Sequence, residues 1–153
     1  MSVPAAVSFE AVRVELADAV PFAASAGLAL DASSFNEENL RFYVTFRNRQ
    51  GIEFYAEFDC RDYPLYPPYI EFVDAARAQR GQQLLYPNVF HSTPCVCMRY
   101  SRKAYGERGG PHSDWRLVDW HLATPGGGAI ETLAMIISDM HSKILDAAGR
   151  MGA

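Results

Sequence analysis

The chain opens on a three- and four-residue hydrophobic rhythm: Phe9, Val12, Leu16 and Val20 fall on one face of a helix. Ser8 stands where a hydroxyl would cap it, and Pro21 predicts an end or a kink, because its ring removes a donor and crowds the preceding turn. The period then changes to two. After a short apolar run at 27–30, residues 40–47 set Phe42, Val44 and Phe46 against Tyr43, Thr45 and Arg47, the pattern of a strand with one buried face. Arg49, Gln50 and Gly51 form a polar turn before a second aromatic and branched run at 52–58, so the pair predicts an antiparallel hairpin within a meander. Pro64, Pro67 and Pro68 exclude regular structure from 63 to 68, and residues 69–73 resume as a strand.

From 74 to 125 the chain shows little sustained periodicity, apart from a turn predicted over 75–83, and is dense in Gly, Pro, Ser and charged residues. Long irregular stretches inside a compact domain are usually functional or disordered. Helical spacing returns with Ile130, Leu133, Ile137, Met140 and Ile144, a stripe that Thr124 and Pro125 are placed to open. A helix, a four-stranded antiparallel meander, a long loop and a covering C-terminal helix predict an α+β sandwich of two layers. With 153 residues, 49% of them hydrophobic, the chain has material for one sizeable core, so a single domain is expected over 1–153 with its core at about 8–147.

A net charge of -4 with both signs mixed gives no basic field for a phosphate backbone, which argues against nucleic acid as a partner. No stretch approaches the roughly twenty apolar residues needed to span a bilayer, so no membrane partner is expected. The cysteines, Cys60, Cys95 and Cys97, make an odd set, and the N-terminal residues lack a basic region followed by an apolar run; a reducing, cytoplasmic setting follows. Cys95, Cys97, His91 and His112 are donor side chains in one region, yet Cys-x-Cys is not the usual zinc spacing and a second close pair is missing. No metal and no cofactor are expected. Cys60, ending a strand, reads as core; His121 and His141 read as a loop and a helix-surface residue. The glycine run at 126–128 lacks the lysine and hydroxyl of a phosphate loop.

Three motifs in order resemble those of the ubiquitin-conjugating enzyme family. Asp62-Tyr63-Pro64-Leu65-Tyr66-Pro67-Pro68, lying between two strands, is similar to its Tyr-Pro-x-x-Pro-Pro signature. Tyr86-Pro87-Asn88 resembles its His-Pro-Asn tripeptide, with tyrosine in first place. Val96-Cys97-Met98 resembles its hydrophobic-Cys-hydrophobic active-site triplet, one residue further from the asparagine than is usual there. The resemblance covers roughly 9–145 and implies the UBC-like sandwich. The chain departs from the family in the missing histidine, in a tryptophan displaced to Trp115 or Trp120 by an insertion at 99–113, and in having no counterpart of the last two helices and their preceding acidic residue. It therefore resembles a minimal, divergent member, of the kind found in bacterial ubiquitin-like conjugation systems, which often serve antiviral defence.

The resemblance implies that Cys97 accepts a ubiquitin-like protein as a thioester from an activating-type enzyme and passes it to an amine on a target protein. A cysteine suits this carriage because its thiolate is both a good nucleophile and a good leaving group. Asn88 would supply an amide donor to the carbonyl oxygen or hold the loop that does, and Tyr86 stands in the histidine's place. Asp114 and Asp119 are candidates for easing proton loss from the incoming amine. Arg99, Arg102, Lys103 and Arg108 would lower the thiol pKa or form a solvated face. Cys95 is the rival nucleophile, or a resolving thiol for Cys97. Two other functions stay open at this point: a non-catalytic UBC-like adaptor, and a thiol redox or zinc-binding protein using Cys95 and Cys97.

Overall fold

The alternation at 41–47 becomes strand β2 (Arg41–Arg47), with Phe42, Val44 and Phe46 buried between half-buried Arg41, Tyr43 and Thr45. The second run becomes β3 (Glu53–Asp59). In the turn between them the Asn48 side-chain oxygen accepts the Ile52 N–H at 2.8 Å, and Gly51 takes a φ of 85°, a left-handed value that costs glycine nothing. Register sets Phe42 opposite Phe58, Val44 opposite Ala56 and Phe46 opposite Phe54, so every inner cross-strand contact is apolar; the Phe42 and Phe58 rings stack 4.8 Å apart. Short β1 (Ala29–Asp31) pairs with β2, and β4 (Tyr69–Val73) with β3, completing an antiparallel sheet in the order β1-β2-β3-β4. With α1 (Ala5–Ser25) before the sheet and α2 (Leu133–Leu145) after it, the fold is α+β.

This computed structural model describes residues 2–121 and 128–153. Helix α1 departs from expectation at both ends. Pro4 occupies the N-cap, and Ser8 lies a turn inside, buried, its hydroxyl donating to Tyr63 O at 2.7 Å. The buried face runs through Ser8, Val12, Ala19 and Ala23, while Val20 is exposed. Small residues let the helix lie close to α2, and the hydroxyl is tolerated because a carbonyl answers it. The helix continues four residues past Pro21, since Phe22 and Ala23 pack on the core and offset the one hydrogen bond the proline removes.

Helix α2 is capped by Thr132, whose hydroxyl accepts the Met135 N–H at 3.2 Å. Thr124 and Pro125, expected to open it, lie outside the described residues, as do Gly126 and Gly127. Ile130 precedes the helix, and Leu133, Ile136, Ile137, Met140 and Ile144 are buried. Glu15 joins the two helices to the proline turn: one carboxylate oxygen accepts the Tyr63 hydroxyl, and the other accepts the Leu133 N–H at 2.7 Å, one of the free donors at the start of α2. No helix among the described residues is long and apolar enough to cross a membrane.

Replacing Glu15 by alanine strands the hydroxyl of buried Tyr63 and a helix-terminal N–H together, and is expected to cost about 1–3 kcal/mol. Urea unfolding should show a lower midpoint at an unchanged slope; Tyr63→Phe, which leaves the Leu133 bond intact, should lose less.

Candidate functional site

The predicted turn over 75–83 is built on Asp74, whose Oδ1 accepts the Ala78 and Gln79 N–H groups at 2.8 and 3.0 Å, and it closes when the Gly81 N–H returns to Phe72 O at 3.1 Å. This turn brings Arg80 over the outer face of the sheet, where two carboxylates meet. Glu57 on β3 and Glu71 on β4 are register partners, and each is only 5% exposed. Like charges directly opposite each other oppose strand pairing. Each is answered separately. Glu57 accepts Arg80 at 2.8 Å and the Tyr43 hydroxyl at 2.9 Å, with Arg41 at 3.9 Å. Glu71 accepts its neighbour's N–H, from Phe72, at 3.0 Å, and also the Lys103 ammonium and the Tyr86 hydroxyl. Burial and the adjacent carboxylate drive the Tyr86 phenol far above its ordinary value, so it stays protonated as a donor.

These contacts fix both sides of the cysteine loop. On one side, Tyr86 O accepts the Met151 N–H at 2.8 Å, the Asn88 N–H donates to Gly149 O at 3.0 Å, and Asn88 Oδ1 accepts the Ala148 N–H at 3.0 Å. Tyr86-Pro87-Asn88 is thus clamped against the C-terminal segment. On the other side, the Tyr100 hydroxyl donates to Asp139 on α2 at 2.7 Å, the Arg102 N–H donates to Pro68 O at 3.0 Å, and the buried Arg102 guanidinium reaches Asp62 at 3.1 Å and Glu107 at 3.0 Å. Trp120 is buried over the proline turn, its indole N–H donating to Leu65 O at 3.2 Å.

Between these anchors, Val96 is buried, and the Met98 N–H bonds to Val96 O at 3.0 Å, a three-residue turn with Cys97 at its apex. Cys97 is half-buried, and its sulfur lies 2.7 Å from His112 Nε2. The sequence reading saw His112 only as a metal donor. What places it is the return of residues 99–113: the His112 N–H donates to Ala104 O at 3.0 Å, and Gly110 lies so close to the chain that a Cβ there would fall 2.2 Å from Lys103 O. The imidazole stacks on Trp115 with centroids 3.6 Å apart and planes 3° from parallel; Trp115 in turn meets the edge of Tyr105 and carries the Arg99 guanidinium 4.7 Å above its ring. The ring is held on one face and bonded at one nitrogen. A glycine-rich return ending in His-x-x-Trp was the available signal, but nothing in the sequence measures its distance from Cys97.

Burial pushes the Cys97 thiol above its ordinary value. The imidazole acts in the opposite sense, because a neutral ring nitrogen can accept the thiol proton and the resulting imidazolium hydrogen-bonds the thiolate. Cys95 is 2% exposed, and burial raises its thiol to about 12, which keeps it protonated; Cys60 is fully buried, and the same cause raises it well above its ordinary value. Asp119 pairs with Arg116 at 3.6 Å, and Asp114 is exposed; among the described residues neither bonds to Cys97 or His112. His91 Nδ1 accepts the Thr93 N–H at 3.1 Å, and no group of three or more His, Cys, Asp or Glu side chains among the described residues is placed to hold a metal.

Lys103→Met leaves the buried Glu71 carboxylate without its cation and is expected to cost about 3 kcal/mol in chemical unfolding, with part regained in Lys103→Met/Glu71→Gln. For the thiol, pH-dependent alkylation of Cys97 separates the two influences on it. Because burial raises its pKa, thiolate without a base forms only as the pH climbs through the alkaline range. His112→Gln should therefore react at least about tenfold more slowly near neutrality, with the two rates converging at alkaline pH.

No protein-family model, curated protein or solved structure matches this chain.

Proposed function

We propose that the chain is a carrier transferase of the UBC-like kind, taking a ubiquitin-like protein from an activating-type enzyme as a thioester on Cys97 and passing it to an amine on a target protein. The observation that carries this reading is a half-buried thiol at the apex of a tight turn, bonded to an imidazole, on the loop that follows an antiparallel meander, a triple-proline turn and Tyr86-Pro87-Asn88.

In loading, the Cys97 thiolate attacks the thioester carbonyl: a new carbon–sulfur bond forms, the activating enzyme's thiolate leaves, and nothing is oxidised or reduced. His112 takes the thiol proton first and returns it to the departing sulfur. In discharge, an amine attacks the same carbonyl, the carbon–nitrogen bond forms, and Cys97 leaves as thiolate while the amine's proton passes to His112. His112 is favoured over Asp114 and Asp119 for this role because it touches the sulfur. The resemblance assigns Asn88 Nδ2 to the developing oxyanion, and its Oδ1 is already taken by the Ala148 N–H. Tyr86 takes the place of the family's histidine as a loop anchor, with Glu71 as its acceptor. A Cys95/Cys97 switch is disfavoured because Cys95 is buried with a raised pKa and makes a poor attacking thiol. A pure adaptor would have no use for a paired thiol and imidazole.

Incubated with an activating enzyme, ATP and a ubiquitin-like protein, the chain should form an adduct that survives non-reducing electrophoresis and disappears with thiol reductant. Cys97→Ser should trap a longer-lived ester, and Asn88→Ala should slow discharge by a factor of about a hundred to a thousand. An adduct that persists in Cys97→Ala would end the proposal.

A further inference from the structure

The outer face of the sheet carries a second feature that the thiol chemistry does not use. A pocket of about 320 Å³ is lined by Arg41, Arg61, Arg80, Arg102 and Arg108, side chains from β2, the strand ends, the turn after β4 and the stretch beyond Cys97. Glu57, Asp59 and Tyr69 complete the lining. In a chain whose net charge is -4, this concentration of guanidinium groups is set against the overall balance.

The carboxylates around the pocket occupy only part of what the arginines offer. Arg80 gives one nitrogen to Glu57 at 2.8 Å, Arg41 reaches Asp59 at 3.3 Å, and Arg61 approaches Asp59 at 3.8 Å. Arg108 lies 5.3 Å above the Tyr69 ring, with one nitrogen 3.4 Å from Glu107. Each guanidinium carries five N–H donors in a planar fork suited to a tetrahedral oxyanion. The Arg61, Arg80 and Arg108 side chains are 62%, 53% and 47% exposed, so their remaining donors are accessible from solvent. Arg102 is different: at 8% side-chain exposure it is fixed by Asp62 and Glu107 and holds the pocket wall.

We infer that this pocket binds a phosphate-bearing small molecule, with Arg61, Arg80 and Arg108 supplying the movable donors and Arg102 the rigid wall. The site is independent of the thioester reading. It adjoins the cysteine loop through Arg108, which also lines a small cavity beside Thr93, Pro94 and Cys95. A bound anion therefore reaches the same loop that carries the thiol.

The test is calorimetric titration of inorganic pyrophosphate into the full chain at low ionic strength, where charge contacts are least screened. Saturable binding with a dissociation constant of about 1 mM or tighter is expected. Arg61→Gln/Arg108→Gln should weaken it roughly tenfold or more, the loss expected for charge-assisted hydrogen bonds. Arg13→Gln/Arg47→Gln removes the same charge from exposed pairs elsewhere and should leave it nearly unchanged. Thermal unfolding of each variant checks that it is folded, and Arg80→Gln alone gives a second measure if the double variant is not. Absence of saturation with the unaltered chain, or equal weakening by both double variants, would overturn the inference. A parallel titration with ATP reports whether the pocket accepts a nucleotide's phosphates, and its failure beside a positive pyrophosphate result restricts the ligand to compact phosphates.

Discussion

Two carboxylates facing each other across adjacent strands impose the main demand on this molecule. On the same face the neighbouring β2–β3 pairs are complementary, with Arg41 opposite Asp59 and Arg47 opposite Glu53, and only Glu57 opposite Glu71 sets like charge against like. Beside Tyr43 and Arg41 on β2, their relief comes from outside the sheet: Arg80 from the turn after β4, Tyr86 from the proline–asparagine segment, Lys103 from the stretch beyond Cys97. Three irregular segments are thereby tied to one patch of the sheet by ionic and hydrogen-bonding need, in addition to the apolar packing of Tyr86 and Ala104. Removing water from two charges is costly, so such contacts specify position more than they add stability.

The thiol inherits its geometry from this arrangement. Tyr86 and Lys103 flank it in sequence and converge on one carboxylate, so the stretch between them spans a fixed gap. Within that gap Val96 points to the core, and the three-residue turn throws Cys97 outward. Residues 99–113 then fold back and deliver an imidazole to the sulfur, stacked on an indole that keeps the ring from turning. Nucleophile and base thus come from opposite ends of one loop, each anchored separately.

The sheet was largely legible because period-two alternation survives wherever one face is buried: β2, β3 and β4 fall within a residue of expectation. The helices were read less well. In α1 the buried face is made partly of Ser8, Ala19 and Ala23, whose burial follows from close approach and a tertiary hydrogen bond and leaves no strong hydrophobic signature. In α2 the apolar stripe was plain, but the cap is Thr132, since Ile130 packs on the core without being helical. The site divides similarly. Cys97 and the Tyr86-Pro87-Asn88 stretch stand out by motif, whereas the Cys97–His112 contact joins residues separated by an irregular loop, and spacing alone does not report closure.

The tight seat of Gly110 bears on how this loop tolerates change. Its backbone rests directly against the Lys103 and Ala104 carbonyls, with the Gly110 N–H donating to Tyr105 O at 3.0 Å. The tip at Gly106–Arg108 is exposed, yet Glu107 pairs with buried Arg102 and Arg108 lies over the Tyr69 ring. The crossing at Gly110 therefore fixes where the return closes, like a purse whose cord is drawn at a single knot, and the imidazole at its mouth keeps its aim.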